Sequence, residues 1–448
     1  MVGARRVDNS TSDWRTLTSD PDRSLEAHRV RVGTAGEVTY ASEAFRPVLI
    51  FGPQRSFKTS GFAIPAILDW DGPTVVTSVR RDVLDDTIAW RSKIGNVYVF
   101  DPSGSLKGTK YEQYRHSWDF LDHCRTWDDC VRMGNALTEA GRLGGISEEG
   151  FWFSLAGQLL APHLFAASQP SRTLADVIRW IKTQEESEVR DILTTLGHDE
   201  AIASAENAWQ REDRARSSVY TTTSSVLRVF DYDTVAVDDP PFLDIDGFLG
   251  SASDTIYICA PPDEQEEFKP LFTGLVRTIV RKVYHRNNQS IDLEEGAVDS
   301  RTASAAPAMC PLLLLLDEAG NIAALENLDT LATTAAGTKV QLVTIFHDMS
   351  QVEGIYGVYA ARSIVNNHSA FMILPGARDT TTLEYVETLL RGERVANSAD
   401  LSWSGPRPIR GMKRGEGLLI YENLRPIVLE LRSKFTDDGL ERRVKGES

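Results

Sequence analysis

Residues 46–62 read RPVLIFGPQRSFKTSGF. An apolar run ends in Gly52, five residues follow, and then come Lys58 and Thr59. Between a strand and a helix, this spacing makes an anion site. The loop and the first helical turn offer unpaired backbone N–H groups, and the helix dipole adds to them. Lys supplies a positive charge for terminal phosphates and Thr a hydroxyl for Mg²⁺. A second candidate lies far along the chain, in LLLLLDEAGN, where an apolar strand ends in Asp317-Glu318. Asp317 is placed to hold the Mg²⁺ shell and Glu318 to polarise an attacking water. Together they predict an ATP and Mg²⁺ site. Gly52, Pro53, Arg55, Ser56, Phe57, Lys58 and Thr59 line the nucleotide, Thr59 and Asp317 hold the metal, and Lys58 and Glu318 take part in the chemistry.

Phe57 breaks the pattern, because the residue before the Lys is ordinarily Gly. A left-handed backbone there costs a non-Gly residue roughly 1–2 kcal/mol, which weakens ligand binding without abolishing it. The benzyl group is the larger obstacle unless it swings outward.

The elements that must position these residues alternate. VLIF, TVVTS (74–78) and NVYVFD (96–101) are short strand-like runs, with KTSGFAIPAILDW and RDVLDDTIAWRSKI as helices between them. Such alternation predicts a parallel sheet. Residues 103–235 differ: several segments, among them FWFSLAGQLLAPHLFAA, LADVIRWIKT and EVRDILTTLG, have helical length and an i, i+3, i+4 apolar face. They predict an all-α domain inserted into an α/β unit formed by 45–102 and 236–435. Residues 1–44 are expected as a polar arm with one short hairpin, and 287–308 as a flexible loop. GLLIYEN and PIVLELR are expected as a terminal strand pair.

The 448 residues carry a formal net charge of −16, which argues against a protein coated with DNA along its whole surface. Four cysteines without C-x-x-C spacing predict reduced thiols rather than a disulfide or zinc scaffold. No apolar stretch reaches the roughly 20 residues of a membrane span, and the N-terminus lacks a secretory core, so a cytoplasmic location is expected.

With both site elements in view, the chain resembles the TraG/TraD-type coupling proteins of type IV secretion, within the FtsK/HerA-like branch of RecA-fold motors. The matching segments run in order: GPQRSFKT, VFDPSG, LLLLDEAGNI, VQLVTIFHDMSQVEGIYG, IVNNHSAFMILPGARDTTTLEYVETLLRG and LLIYENLRPIVLELR. The resemblance implies a RecA-like P-loop NTPase core with a mostly parallel sheet and an inserted all-α domain. It also implies a homo-hexameric ring that uses ATP to pass DNA, or a relaxase–DNA complex, toward a secretion channel. Contact with the inner face of the plasma membrane would come through a secretion partner. It places His347 where the family has a phosphate-sensing Gln, which adds His347 to the catalytic set. It also exposes a gap: where the family carries an Arg, this chain has Ala336, with Lys339 the nearest cation and Arg362 or Arg378 as substitutes. Two functions follow, a DNA-transfer motor and a non-hydrolysing docking subunit that keeps the fold.

Three further clusters are weighed. Arg407, Arg410, Lys413 and Arg414 on a Gly/Pro-rich loop could face DNA in a pore, against the plainer reading of a solvated loop. WQREDRARSSVY (209–220) is expected to form i, i+4 charge pairs on a helix face. The aromatics at 151–153, with Trp180 and Trp209, are expected in the core of the helical domain.

Overall fold

A computed structural model of the chain describes residues 28–78, 81–139, 148–231, 240–261, 263–294, 310–322, 324–390, 409, 411–422 and 424–447. They build one twelve-stranded sheet. In chain order its strands are β1 (Arg31–Ala35), β2 (Val38–Ala41), β3 (Val48–Phe51), β4 (Thr74–Ser78), β5 (Val97–Phe100) and β6 (Arg115–His116). Then come β7 (Thr255–Cys259), β8 (Leu312–Leu316), β9 (Val340–Phe346), β10 (Ala370–Ile373), β11 (Glu416–Tyr421) and β12 (Ile427–Glu430). The spatial order is β2-β1-β12-β11-β10-β3-β9-β8-β4-β7-β5-β6. From β10 to β6 every neighbouring pair is parallel. From β10 back to β2 every pair is antiparallel.

The parallel strands β3, β4, β7, β8, β9 and β10 are buried at every position because both faces of the sheet are covered. In β8, Leu312, Leu314 and Leu316 enter one core, while Leu313 and Leu315 enter the other. The first core is shared with the helical domain, which starts at the helix Trp127–Thr138 and wraps the long helix Glu148–Ala167. Trp180 and Trp209 are buried there, and Trp152 and Phe153 pack against the same core; Phe151 instead stays 56 % exposed. In the 209–220 segment Arg216 pairs with Asp213 at 3.1 Å, three rather than four residues away.

Four expected boundaries move. Residues 28–44 are no free arm: the β1–β2 hairpin pairs with β12, with Val30 and Val32 buried. An open β12 edge would leave a row of unpaired backbone groups, which the hairpin satisfies. Residues 1–27 lie outside the described residues. The segment expected to open the all-α domain at 103 first adds β6 to the sheet edge, held by Arg115 against the buried Asp101 at 3.3 Å. The loop expected at 287–308 begins later, since the helix Gln265–Glu294 runs through 287–294; 295–309 lie outside the described residues. Beyond 435 the helix Asp438–Val444 folds back, and Arg443 donates to the Leu68 carbonyl at 2.9 Å and the Asp69 carboxylate at 2.6 Å.

At the sheet end away from the Lys58 loop, Arg91 is fully buried and, among the described residues, forms no ion pair. It donates to the carbonyls of Trp70 (2.5 Å), Gly72 (2.9 Å) and Ser253 (2.8 Å) and to the Thr255 hydroxyl (2.6 Å). Burial lowers its pKa to about 10. Arg91→Met leaves the Trp70 and Ser253 carbonyls without this donor, an expected cost of about 3–5 kcal/mol. A denaturant titration of the two proteins measures that difference in stability.

Candidate functional site

The loop Gly52–Phe57 leaves the carboxyl end of β3 and enters a helical run that starts as a π turn, Thr59–Ala63, and continues as Ile64–Asp69. No side chain caps this helix start, so its leading N–H groups are left for an anion. Gly52 is required by space: a Cβ there would meet Ser56 Oγ at 2.6 Å and Leu374 at 3.0 Å. The Ser56 hydroxyl itself is buried with no hydrogen-bond partner. Pro53 is half-buried beside Gly376, and Arg55 is exposed with a φ of 62°.

Phe57 does take the left-handed backbone, at φ 80°, which carries the strain of roughly 1–2 kcal/mol noted above. Its ring lies against Gly61 and packs on the second core.

The strand order decides what meets the loop. β9 lies between β3 and β8, so the residues after β3, β9 and β8 end side by side. Lys58 Nζ is 3.1 Å from His347 Nδ1 and 3.6 Å from Glu318 Oε1. Thr59 Oγ1 donates to Asp317 Oδ2 at 3.2 Å. Asp317 is wholly buried, and its Oδ1 has no hydrogen-bond partner. Burial pushes its pKa up to about 6, with the Glu318 charge acting the same way and Lys58 opposing. Burial, followed by the Lys58 charge, holds the His347 imidazole below its usual pKa, which suits Nδ1 to accept from the lysine.

An orphaned carboxylate oxygen beside a threonine hydroxyl is what a divalent cation requires from this chain. Mg²⁺ would take Thr59 and Asp317 here, with phosphate and water oxygens completing its shell. The residues present therefore fit the metal.

Two neighbours were missed from the sequence. Asn321 Nδ2 donates to Glu318 Oε2 at 3.1 Å, and Gln351 Oε1 accepts from the His347 backbone N–H at 2.8 Å. Gln351 Nε2 in turn reaches Asn321 Oδ1 at 3.4 Å, closing a polar brace behind Glu318 and His347. The signal for Gln351 was in the sequence: Asp348 accepts from the Gln351 N–H at 2.9 Å, the spacing of a helix-capping pair.

The substitutes for the absent Arg sort by sheet end. Ala336 and Lys339 precede β9, whereas the Lys58 loop meets the end of β9, so neither completes the site within one chain. Arg362 is exposed in the middle of the helix Val358–Asn367. Arg378 follows β10, whose Ile373 is in register with Phe51, and lies exposed at the loop's own end of the sheet. Of the basic cluster, Arg407 and Arg410 fall outside the described residues. Lys413 and Arg414 precede β11, which runs antiparallel to β10, and so they too stand at the loop's end.

Residues 10–400 match the family model described as Type IV secretory system Conjugative DNA transfer. Conjugal transfer protein TraG of Escherichia coli is 24 % identical over 381 residues, covering 80 % of this chain and 57 % of TraG. Protein VirD4 of Rhizobium radiobacter is 21 % identical over 365 residues, covering 80 % of this chain and 49 % of VirD4. The chain thus spans about half the length of the curated relatives it matches. Among solved structures, plasmid coupling protein TrwB bound to the non-hydrolysable ATP analogue ADPNP superposes with a TM-score of 0.66 at 18 % identity. That superposition covers 87 % of this chain and 86 % of TrwB, and TrwB with ADP and Mg²⁺ gives 0.64. This likeness is one of fold, a RecA-like NTPase sheet with a helical domain.

The raised Asp317 pKa carries a stability signature. A carboxyl whose folded pKa of about 6 exceeds its unfolded value contributes fully below about pH 4 and loses that contribution as pH rises through 6. Asp317→Asn removes the titration. Wild type is therefore expected to lose on the order of 2–3 kcal/mol relative to Asp317→Asn between pH 4 and pH 7.5, measured by denaturant unfolding without nucleotide.

Proposed function

Because the chain belongs to the type IV secretory system conjugative DNA-transfer family, we propose that it is a coupling-protein ATPase that binds ATP with Mg²⁺ and drives DNA, or a relaxase–DNA complex, toward a secretion channel. The observation that carries this reading is the convergence of Lys58, Thr59, Asp317, Glu318 and His347 at the ends of three adjacent parallel strands.

The ligand-free contacts indicate what each group does. Lys58 is buried and held by Glu318 and His347, two partners that a terminal phosphate can replace. When Lys58 moves to phosphate, Glu318 is released to orient a water and take its proton. Asn321 holds the other carboxylate oxygen in place as this happens. His347, freed from the lysine, can donate one hydrogen bond to the terminal phosphate, the role the family gives to Gln. Thr59 and Asp317 hold the metal, which when bound supplies positive charge against the phosphate oxygens.

Several features support the wider assignment. Ala336 and Lys339 stand at the sheet end remote from the Lys58 loop, and in a ring of copies that end is free to serve a neighbouring site. An acidic chain that handles DNA must do so through a local surface, and a pore requires only that. Among the described residues no helix is long and apolar enough to cross a membrane.

The test is ATP affinity and DNA-stimulated hydrolysis in three proteins. Wild type should bind and turn over ATP. Lys58→Ala should weaken binding at least about tenfold. Glu318→Gln should bind ATP near the wild-type level while hydrolysis falls by about 10²–10⁴. Wild-type binding without turnover would identify a non-hydrolysing docking subunit instead, and absence of binding would end the ATPase reading.

A further inference from the structure

The Phe57 side chain breaks the loop's glycine rule, and its surroundings show what the ring does instead. A Cβ on Gly61 would meet Phe57 Cδ1 at 2.3 Å and Leu431 Cβ at 3.2 Å, so the bare Gly61 backbone, the ring and Leu431 are packed together. The Arg414 guanidinium carbon stands 5.7 Å from the ring centroid. Leu431 N–H donates to the Gly415 carbonyl at 2.6 Å, which fixes the two C-terminal segments beside each other. Arg414 is exposed and, among the described residues, forms no ion pair.

These residues flank the phosphate loop on the side opposite its acids. Lys58 reaches Glu318 and His347, which follow β8 and β9. Phe57 contacts residues that precede β11 or follow β12, on the far side of β3 in the sheet order. A nucleoside triphosphate whose terminal phosphate sits at Lys58 has its nucleoside at the other end of an extended chain. The aromatic and cationic flank is on the side of the loop away from the acids.

We infer that Phe57 and Arg414 form the seat for the nucleoside end of the ligand, the ring holding the guanidinium that stacks on the base. The inference rests on the nucleotide-binding reading above. Arginine guanidinium planes stack on aromatic faces, and a base is one more such face. An exposed arginine without an acidic partner among the described residues has its charge and its outer surface available for this. The substitution at 57 is then a binding element built into the loop, and restoring the usual glycine removes it.

Glycine is a clean deletion here, because it adopts φ 80° without strain and leaves the loop's backbone as it is. Binding of ATP and of inorganic tripolyphosphate, each with Mg²⁺, is measured by calorimetry for wild type, Phe57→Gly, Arg414→Ala and the double variant. Thermal melts check folding, and Arg414→Ala, a surface change, keeps the test alive should Phe57→Gly misfold. Each single variant is expected to weaken ATP binding about tenfold, the scale of one base–side-chain stack, and to leave tripolyphosphate within about twofold. The double variant should be no weaker than the weaker single. Unchanged or tighter ATP binding in Phe57→Gly, equal losses for both ligands, or additive losses would each overturn the seat. Wild type that binds neither ligand would defeat the nucleotide site itself, a separate failure.

Discussion

A carboxylate cut off from water organises this molecule. Asp317 follows a strand buried at every position, gives one oxygen to Thr59 and has no protein partner for the other. A dry, half-satisfied carboxylate is expensive, and its raised pKa registers that expense. Such a group is tolerated where a cation is to be received. Lys58 sits close enough to moderate the cost, yet its own amine is shared between Glu318 and His347. The site is therefore a set of charges that satisfy one another incompletely, which a metal–phosphate ligand can complete.

The sheet makes that arrangement possible. Parallel strands end at one edge together, so residues widely separated in sequence come to lie side by side without any long-range loop having to carry them. β9 is the decisive element. By pairing with β3 on one side and β8 on the other, it brings His347 and Glu318 together around the lysine of the first motif. The brace of Gln351 and Asn321 then ties the two strand ends together.

The antiparallel edge belongs to the same design. β11 and β12 extend the sheet past β10 and return Arg414 and Leu431 to the nucleotide end, while the β1–β2 hairpin covers the remaining edge. Phe57 can be accommodated because Gly61 leaves room for its ring and these C-terminal residues surround it. Its backbone strain is carried by a side chain that packs outside the loop.

The sequence by itself determined the pieces. Strand–helix alternation, the loop at 52–59, the acids at 317–318 and the helical block were legible because each is encoded by neighbours in the chain. Apolar runs of a few residues, turn chemistry and the 3.6 period are all local. Helix 287–294 and the hairpin's place in the sheet were not legible, since a helix end of polar residues has no apolar signal and an edge pairing depends on a partner almost four hundred residues away. Only the tertiary structure decided where the Phe57 ring goes, that Arg414 stands at the nucleotide end, that Lys339 stands at the other, and that Asn321 and Gln351 brace the acids. Those outcomes follow from strand order, and strand order is a property of which buried faces pack together rather than of any segment alone.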